Sequence, residues 1–264
     1  MTVKEIRRIA LEQSAIDCGC TLHEFLQNRV STCVSRPHPE ARKYLKLPAF
    51  CDVVSYGSGE VVSAADPAVA EAAAGYLQEH PYPYGFSTPD LLQLAEILKP
   101  WNAGPAWLGE YFLPDPDLIP DLPCPFPTKL LTPPDFTELY RPEWGNALVE
   151  ARKELDMLGV GAYDGGKLIG FAACSADCST MWQIGIDVLP DYRRRGIAEA
   201  LTSRLTKEIL ARGKVPFYCA AWSNIGSVRN AIRCGFRPAW VQLTCIRKED
   251  GKTAGFHAEQ QTAD

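Results

Sequence analysis

Apolar and polar positions along this chain fall into two rhythms, one of helical period and one of strand period. The clearest helical stretch is residues 195–212, where Leu201, Leu205 and Ile209 recur four apart with polar side chains between them. Residues 1–16 place Ile6, Ile9, Leu11 and Ile16 at looser helical spacing. Thr21, with Glu24 three residues on, has the form of a capping box ahead of Leu22, Phe25 and Leu26. Asp66-Pro67 and Thr88-Pro89 predict helix starts for residues 68–78 and 90–98, since proline's missing N–H costs nothing in a first turn. Residues 144–155 predict another helix, and residues 224–233 a short one closed by Gly235. Strand-like runs cover 51–56 and 60–64 around Gly57-Ser58-Gly59, then 107–113. They continue at 158–163 and 167–173 around Asp164-Gly165-Gly166, then at 181–189, 215–221 and 239–246. Helices and strands mix without strict alternation, which predicts an α+β fold.

Proline divides this pattern. Pro114, Pro116, Pro120, Pro123, Pro125, Pro127, Pro133 and Pro134 crowd one segment. Each lacks a backbone donor, so neither a helix interior nor a central strand runs through it. The expected organisation is an N-terminal α+β domain over 1–113, a proline-rich linker over 114–136, a second domain over 137–247 and a polar tail over 248–264. The hairpin and helix of residues 51–78 are compatible with a degenerate copy of the second domain, although no phosphate-binding loop marks that half.

Composition narrows the function. Of 264 residues, 46% are hydrophobic and 22% charged, as in an ordinary soluble globular chain. The net charge of -5 gives no global attraction to nucleic acid or to an anionic membrane, so an anionic ligand needs a local basic patch. Glu5, Arg7 and Arg8 interrupt any signal-peptide core, and no run of about 18 apolar residues occurs. The expected location is therefore cytoplasmic. Ten cysteines without a CxxC pair read as free thiols rather than a zinc site, and no metal is expected. A nucleotide-binding P-loop is excluded by the lack of GxxxxGK[ST].

The informative stretch is residues 181–200, MWQIGIDVLPDYRRRGIAEA. A strand ends at Pro190, and the loop Arg193-Arg194-Arg195-Gly196-Ile197-Ala198 opens the long helix. The first helical turn presents N–H groups that have no internal partner, beside the positive end of the helix dipole. Gly196 and Ala198 leave the backbone open to close approach by a phosphate. Hydrogen bonds to a charged group are worth about 1.5–3 kcal/mol each, against about 0.3–1 kcal/mol for an exposed dipole. Backbone donors and loop shape therefore outweigh the dipole.

This loop resembles the [Gln/Arg]-x-x-Gly-x-[Gly/Ala] signature of the GNAT superfamily of acyl-CoA N-acyltransferases, with Arg193 first, Gly196 fourth and Ala198 sixth. Ile186-Asp187-Val188-x-Pro190 resembles the strand before it. Asn224-x-x-Ser227, followed by Cys234-Gly235-Phe236, resembles the superfamily's second landmark. The resemblance covers roughly residues 137–247. It implies a mixed β-sheet flanked by helices and splayed between its two central strands, with acetyl-CoA lying in the opening. The pyrophosphate would sit on the loop of Arg193, Arg194, Arg195, Gly196, Ile197 and Ala198. The pantetheine arm would pair with Ile186 and Val188, beside Asn224 and Ser227.

The implied reaction is direct attack of a primary amine on the thioester in a ternary complex, with the Val188 N–H facing the developing oxyanion. The implied acceptor is a small molecule or amino-acid-like metabolite, and a homodimer is compatible. Deprotonating an alkylammonium of pKa ~10.4 at pH 7 costs about 4.6 kcal/mol. The family's usual glutamate position falls near Trp182-Gln183, neither of which is a base. Asp187 is then the nearest carboxylate, as proton acceptor, ammonium partner or structural group. The family's usual tyrosine position is Ala231, and Ser227, one helical turn earlier, is the candidate to orient the sulfur. No histidine lies between His80 and His257, which disfavours a histidine-activated nucleophile. Tyr82, Tyr84, Phe86, Trp101, Trp107, Tyr111 and Phe112 read either as an acceptor wall or as core packing. The competing reading of the chain is a non-catalytic acyl-CoA-binding sensor or partner-recognition module.

Overall fold

The computed structural model describes residues 1–80, 85–221 and 223–249. In chain order it has helices α1 (Val3–Cys18) and α2 (Leu22–Leu26), strands β1 (Val30–Val34), β2 (Cys51–Ser55) and β3 (Glu60–Ala64), and helices α3 (Pro67–Glu79) and α4 (Thr88–Leu98). Strands β4 (Ala103–Pro114), β5 (Thr128–Leu131), β6 (Asp156–Asp164), β7 (Lys167–Ser175) and β8 (Met181–Val188) follow. Helix α5 (Ile197–Ala211), strand β9 (Val215–Ala221), helix α6 (Ile225–Arg233) and strand β10 (Phe236–Arg247) complete the order. The fold is α+β, as expected. Two compact units divide the described residues, one built on Arg8–Tyr111 with residues 239–249, the other on Phe112–Pro238 with Met1–Arg7.

In the first unit the strands lie in the order β1-β3-β2-β10. The predicted hairpin is present, with Val53 opposite Val62. Asp66 accepts from Ala68 N at 2.9 Å and starts α3, as its sequence predicts. Strand β1, parallel to β3, was not foreseen, because Ser31 and Thr32 blur its alternation. Val53, Val62, Val69, Leu77, Leu94 and Leu98 form an apolar core. Beside it lies a polar centre. Arg42 pairs with Asp17 at 2.8 Å, both buried, and the Arg42 guanidinium sits over the Trp240 ring at 5.1 Å. A cavity of about 10 Å³, the room of one water, touches Asp17, Arg42, Asp52 and Gln242.

In the second unit the order is β9-β8-β7-β6-β5. β5–β6, β6–β7 and β7–β8 are antiparallel, and β8–β9 is parallel. The turn Asp164-Gly165-Gly166 forms with both glycines at positive φ, as predicted. Helix α5 lies over β6, β7 and β8. It approaches so closely that a Cβ on Gly170 of β7 would lie 2.7 Å from Ile197 Cγ2.

Two sequence expectations change here. The proline-rich segment contributes β5, the outermost strand in this order, where missing donors are tolerated. It also packs onto the unit, with Ser203 Oγ donating to Pro120 O and the Gly235 backbone in tight contact with Leu118. Residues 144–155 form no α-helix. They are 3-10 turns at Pro142–Trp144 and Glu150–Leu155, the latter broken at Arg152. At the start of this stretch Asp187 draws the N–H groups of Asn146 and Ala147 to its carboxylate, each at 2.9 Å.

Candidate functional site

β8 and β9 separate soon after they begin. Their parallel ladder runs Met181–Val215, Trp182–Pro216 and Gln183–Phe217. On its other side β8 stays paired with β7 as far as Val188, opposite Gly170. Leu189 N donates to Ile169 O at 3.0 Å. Strand alternation then turns the N–H groups of Ile184, Ile186 and Val188 away from β7, into the gap that β9 leaves. The sheet is splayed between these two strands.

The loop after β8 lies at the end of this gap. Pro190–Tyr192 makes a 3-10 turn, and Arg194 and Gly196 adopt positive φ of 62° and 77°. These left-handed residues turn the chain so that α5 starts at Ile197. The first i to i−4 bond of the helix runs from Ala200 N to Gly196 O at 3.1 Å. The amides of Ile197, Ala198 and Glu199 come before it and have no intrahelical acceptor. A Cβ built on Gly196 would meet nothing within 4 Å. Backbone conformation therefore accounts for glycine here, and the space in front of it can take an anion. Ile197 is buried against Gly170, so the residue that offers an amide also anchors the helix start.

The arginines divide their work. Arg193 Nε donates to Val188 O at 3.0 Å, and Arg195 Nη2 donates to Asp191 O at 3.0 Å. Arg195 also lies over the Tyr192 ring at 5.3 Å. All three arginines are exposed, and Arg193 and Arg195 brace the loop.

Asp187 does not stand as a free base. Its carboxylate accepts from Asn146 N at 2.9 Å, Asn146 Nδ2 at 2.6 Å and Ala147 N at 2.9 Å. Burial raises its pKa, opposed by these hydrogen bonds and by the Arg193 charge. Three donors occupy this carboxylate and make it a clamp for the residue 142–148 segment.

Asn224 caps α6, accepting from Ser227 N at 3.1 Å. Ser227 Oγ lies 3.0 Å from the hydroxyl of Tyr218, the first β9 residue beyond the ladder. Ala231 is fully buried in the core against which α5 and α6 pack. Tyr218 had no sequence signal beyond its place in a strand-like run, and its partner is created by the fold. The carboxyl of Asp156, at the start of β6, was also missed. Burial pushes it up to about 7, opposed by the Tyr140 hydroxyl that donates to it at 3.0 Å.

Of the aromatic cluster, Phe86 and Trp101 pack on the first unit's core, and Tyr111 stacks on Trp240 at 4.6 Å. Phe112 is buried in the second unit's core, so for these four the packing reading holds. Tyr82 and Tyr84 lie outside the described residues, as does the tail beyond Glu249. Among the described residues, no three His, Cys, Asp or Glu side chains converge to hold a metal, and no helix is long and apolar enough to cross a membrane. All ten cysteines are free thiols, and burial pushes those of Cys174 and Cys234 upward, the latter to about 12.

A family model described as Acetyltransferase (GNAT) family matches residues 119–236, inside the second unit. A GCN5-related N-acetyltransferase-like protein from Streptococcus suis is 23% identical, with 59% of this chain and 68% of that one covered and a TM-score of 0.41. A GCN5-related N-acetyltransferase from Kribbella flavida is 18% identical, with 58% and 62% covered and a TM-score of 0.46. A GNAT-family acetyltransferase from Colwellia psychrerythraea is 18% identical, with 60% and 62% covered and a TM-score of 0.42. The chain thus spans 62% of the length of the last two. No curated protein matches it. With the splayed strands and the glycine loop at the mouth of the gap, the match at residues 119–236 identifies this chain as carrying a domain of the acetyltransferase (GNAT) family.

Proposed function

We propose that the second unit transfers an acetyl group from acetyl-CoA to a primary amine of a small molecule or amino-acid-like metabolite, in a ternary complex. The reading rests on one observation: β8 and β9 part after Gln183–Phe217, and the opening ends at a helix start whose glycine faces open space. A pantetheine arm carries amides that can pair with the outward N–H and C=O groups of Ile186 and Val188. A pyrophosphate suits the amides from Arg194 to Ala198, with Arg194 as an exposed counter-charge. Asn224 holds the first turn of α6 beside the arm.

The chemistry then follows from position. The outward N–H of Val188 would meet the oxygen of the thioester carbonyl as negative charge develops on it, a preorganised donor in a partly buried setting. Holding amine and thioester together removes the entropy of encounter. Asp187 contributes by fixing the residue 142–148 segment over β8 rather than by taking a proton.

That arrangement of Asp187 also favours a second reading, a non-catalytic acyl-CoA-binding sensor or partner-recognition module, because the strand then supplies no free base. One assay separates them. Calorimetry with acetyl-CoA, followed by free-thiol release in the presence of an amine library, is expected to show binding and amine-dependent release. Binding without amine-dependent release would support the module. No binding would overturn both.

A further inference from the structure

Helix α1 ends against β1. Gly19 takes a φ of 73° and turns the chain, with Gly19 N donating to Ile16 O at 3.3 Å and Cys20 N to Ala15 O at 2.9 Å. A Cβ on Gly19 would lie 2.8 Å from Val34 O, so this turn is pressed onto the strand. Cys20 and Cys33 are the chain neighbours of these two touching residues. Cys33 Sγ donates to Cys18 O at 3.1 Å. Ser63, opposite Cys33 in the β1–β3 pairing, donates through Oγ to the same carbonyl at 2.7 Å. The thiols of Cys20 and Cys33 hydrogen-bond each other.

A second pair of thiols in the same unit shows what is particular about this one. Cys51 on β2 and Cys245 on β10 stand opposite each other and also hydrogen-bond, but they are 0% and 1% exposed. Cys20 and Cys33 are each only half-buried. A thiol reacts as its thiolate, and only where a reagent reaches it. Cys33 is the member of the pair that ionises first. Hydrogen bonds from Cys20 and Ser63 hold its pKa below the ordinary value, against burial and the nearby Glu24 charge. The contact with Cys33, together with burial, pushes Cys20 up. Cys18 is buried, and that burial pushes its thiol up as well.

We infer that Cys20 and Cys33 form a redox-active dithiol, which closes to a disulfide by exchange with a small-molecule disulfide. The Cys33 thiolate attacks one sulfur of the reagent, whose S–S bond breaks and whose other half leaves as a thiolate. Cys20 then loses its proton to solvent and attacks the Cys33 sulfur of the mixed disulfide. That S–S bond breaks, the second half of the reagent leaves, and the Cys20–Cys33 bond forms. Two protein thiols have given up two electrons and two protons, and the reagent has become two thiols. Excess small thiol runs the same steps backward. The bridge ties the end of α1 to β1, the outermost strand of its unit, and closes a ring through α2. A closed ring restricts the unfolded chain, so the oxidised protein is the more stable form. This chemistry lies in the first unit and does not depend on acyl transfer.

The test uses the full-length protein, equilibrated without denaturant in mixtures of reduced and oxidised glutathione. Samples are quenched with acid, alkylated and digested with trypsin. Cys18 and Cys20 fall in peptide 9–29 and Cys33 in peptide 30–42, since Arg36 precedes a proline. The expected product is a disulfide linking these two peptides, with a yield that rises with the oxidised fraction and reverses in reduced glutathione. Cys51 and Cys245 are expected to be recovered as free thiols. Cys20→Ser is expected to stop at the Cys33–glutathione mixed disulfide, and Cys33→Ser to give no linked peptides. The oxidised wild type is expected to unfold at a urea concentration roughly 1 M higher than the reduced form. Neither serine variant should show that difference. No linked pair at any glutathione ratio, or a linked pair that persists in Cys20→Ser, would overturn the inference.

Discussion

A Cβ at Gly185 would lie 1.8 Å from the carbonyl oxygen of Asn146 and 3.1 Å from Ala147 Cα. The residue 142–148 segment is pressed onto β8 at this point, and Asp187, two residues on and on the same strand face, clamps it there. Backbone cannot yield as a flexible side chain can. Gly185→Ala is expected to destabilise the protein by at least the ~1–3 kcal/mol typical of overpacking. Its urea midpoint should fall with an unchanged slope. A midpoint equal to wild type would mean that the segment is not held against the strand.

Asp187→Asn separates clamp from base. Asparagine can accept from one of the three present donors but offers an NH2 where the other oxygen was. The expected stability loss is ~1.5–3 kcal/mol, the range for a hydrogen bond to a charged group. Acetyl transfer should fall with it, while the acidic limb of the pH–rate profile stays in place. Disappearance of that limb in Asp187→Asn would return the residue to the role of general base.

At the loop, Gly196→Glu is expected to weaken acetyl-CoA binding more than any single arginine substitution. A glutamate would fill the open space before Ile197 and Ala198 with negative charge and bring a side chain to a residue at φ of 77°. Loss of two charged hydrogen bonds corresponds to about a hundredfold in affinity or more. Arg194→Ala should cost about tenfold at most, the share of one screened, exposed charge. Arg193→Ala and Arg195→Ala should lower thermal stability as well, since these two brace the loop through Val188 O and Asp191 O. Calorimetric titration of the four variants checks the order.

These relationships show where the sequence was legible and where it was not. Leu201, Leu205 and Ile209 declare α5 because a helix face is written in local spacing, and Asp164-Gly165-Gly166 declares its turn because only certain residues accept those dihedrals. The glycine loop was legible for the same reason: Gly196 answers to its own backbone. The spacing of residues 144–155 is helical only locally, and nothing in it shows the break at Arg152 or the carboxylate, some 40 positions away in the chain, that takes the amides of Asn146 and Ala147. Tyr218 was silent on the same ground, since its partners Ser227 and Asn230 are brought to it by the β9–α6 connection. The strand β5 hid among prolines that argue only against a central position, and it is outermost in its unit.

Asp156 makes stability depend on pH in a direction opposite to the usual carboxylate. Its folded pKa, about 7, lies above the unfolded value near 3.8, with burial as the leading cause. Between those values the folded state holds a proton that the unfolded state has released. Stability therefore falls as pH rises through that window, by up to a few kcal/mol in all at ~1.4 kcal/mol per unit. Asp156→Asn cannot ionise, and it keeps an acceptor for the Tyr140 hydroxyl. The variant is expected to match wild type near pH 4, to gain on it steadily, and to hold its full advantage above pH 7. Subtracting the two urea-denaturation series removes the parallel contribution of Asp52, pushed up to about 6 by its own burial. A difference curve that is flat from pH 4 to 8, or that falls with pH, would show that the buried carboxyl is ionised in the folded protein throughout.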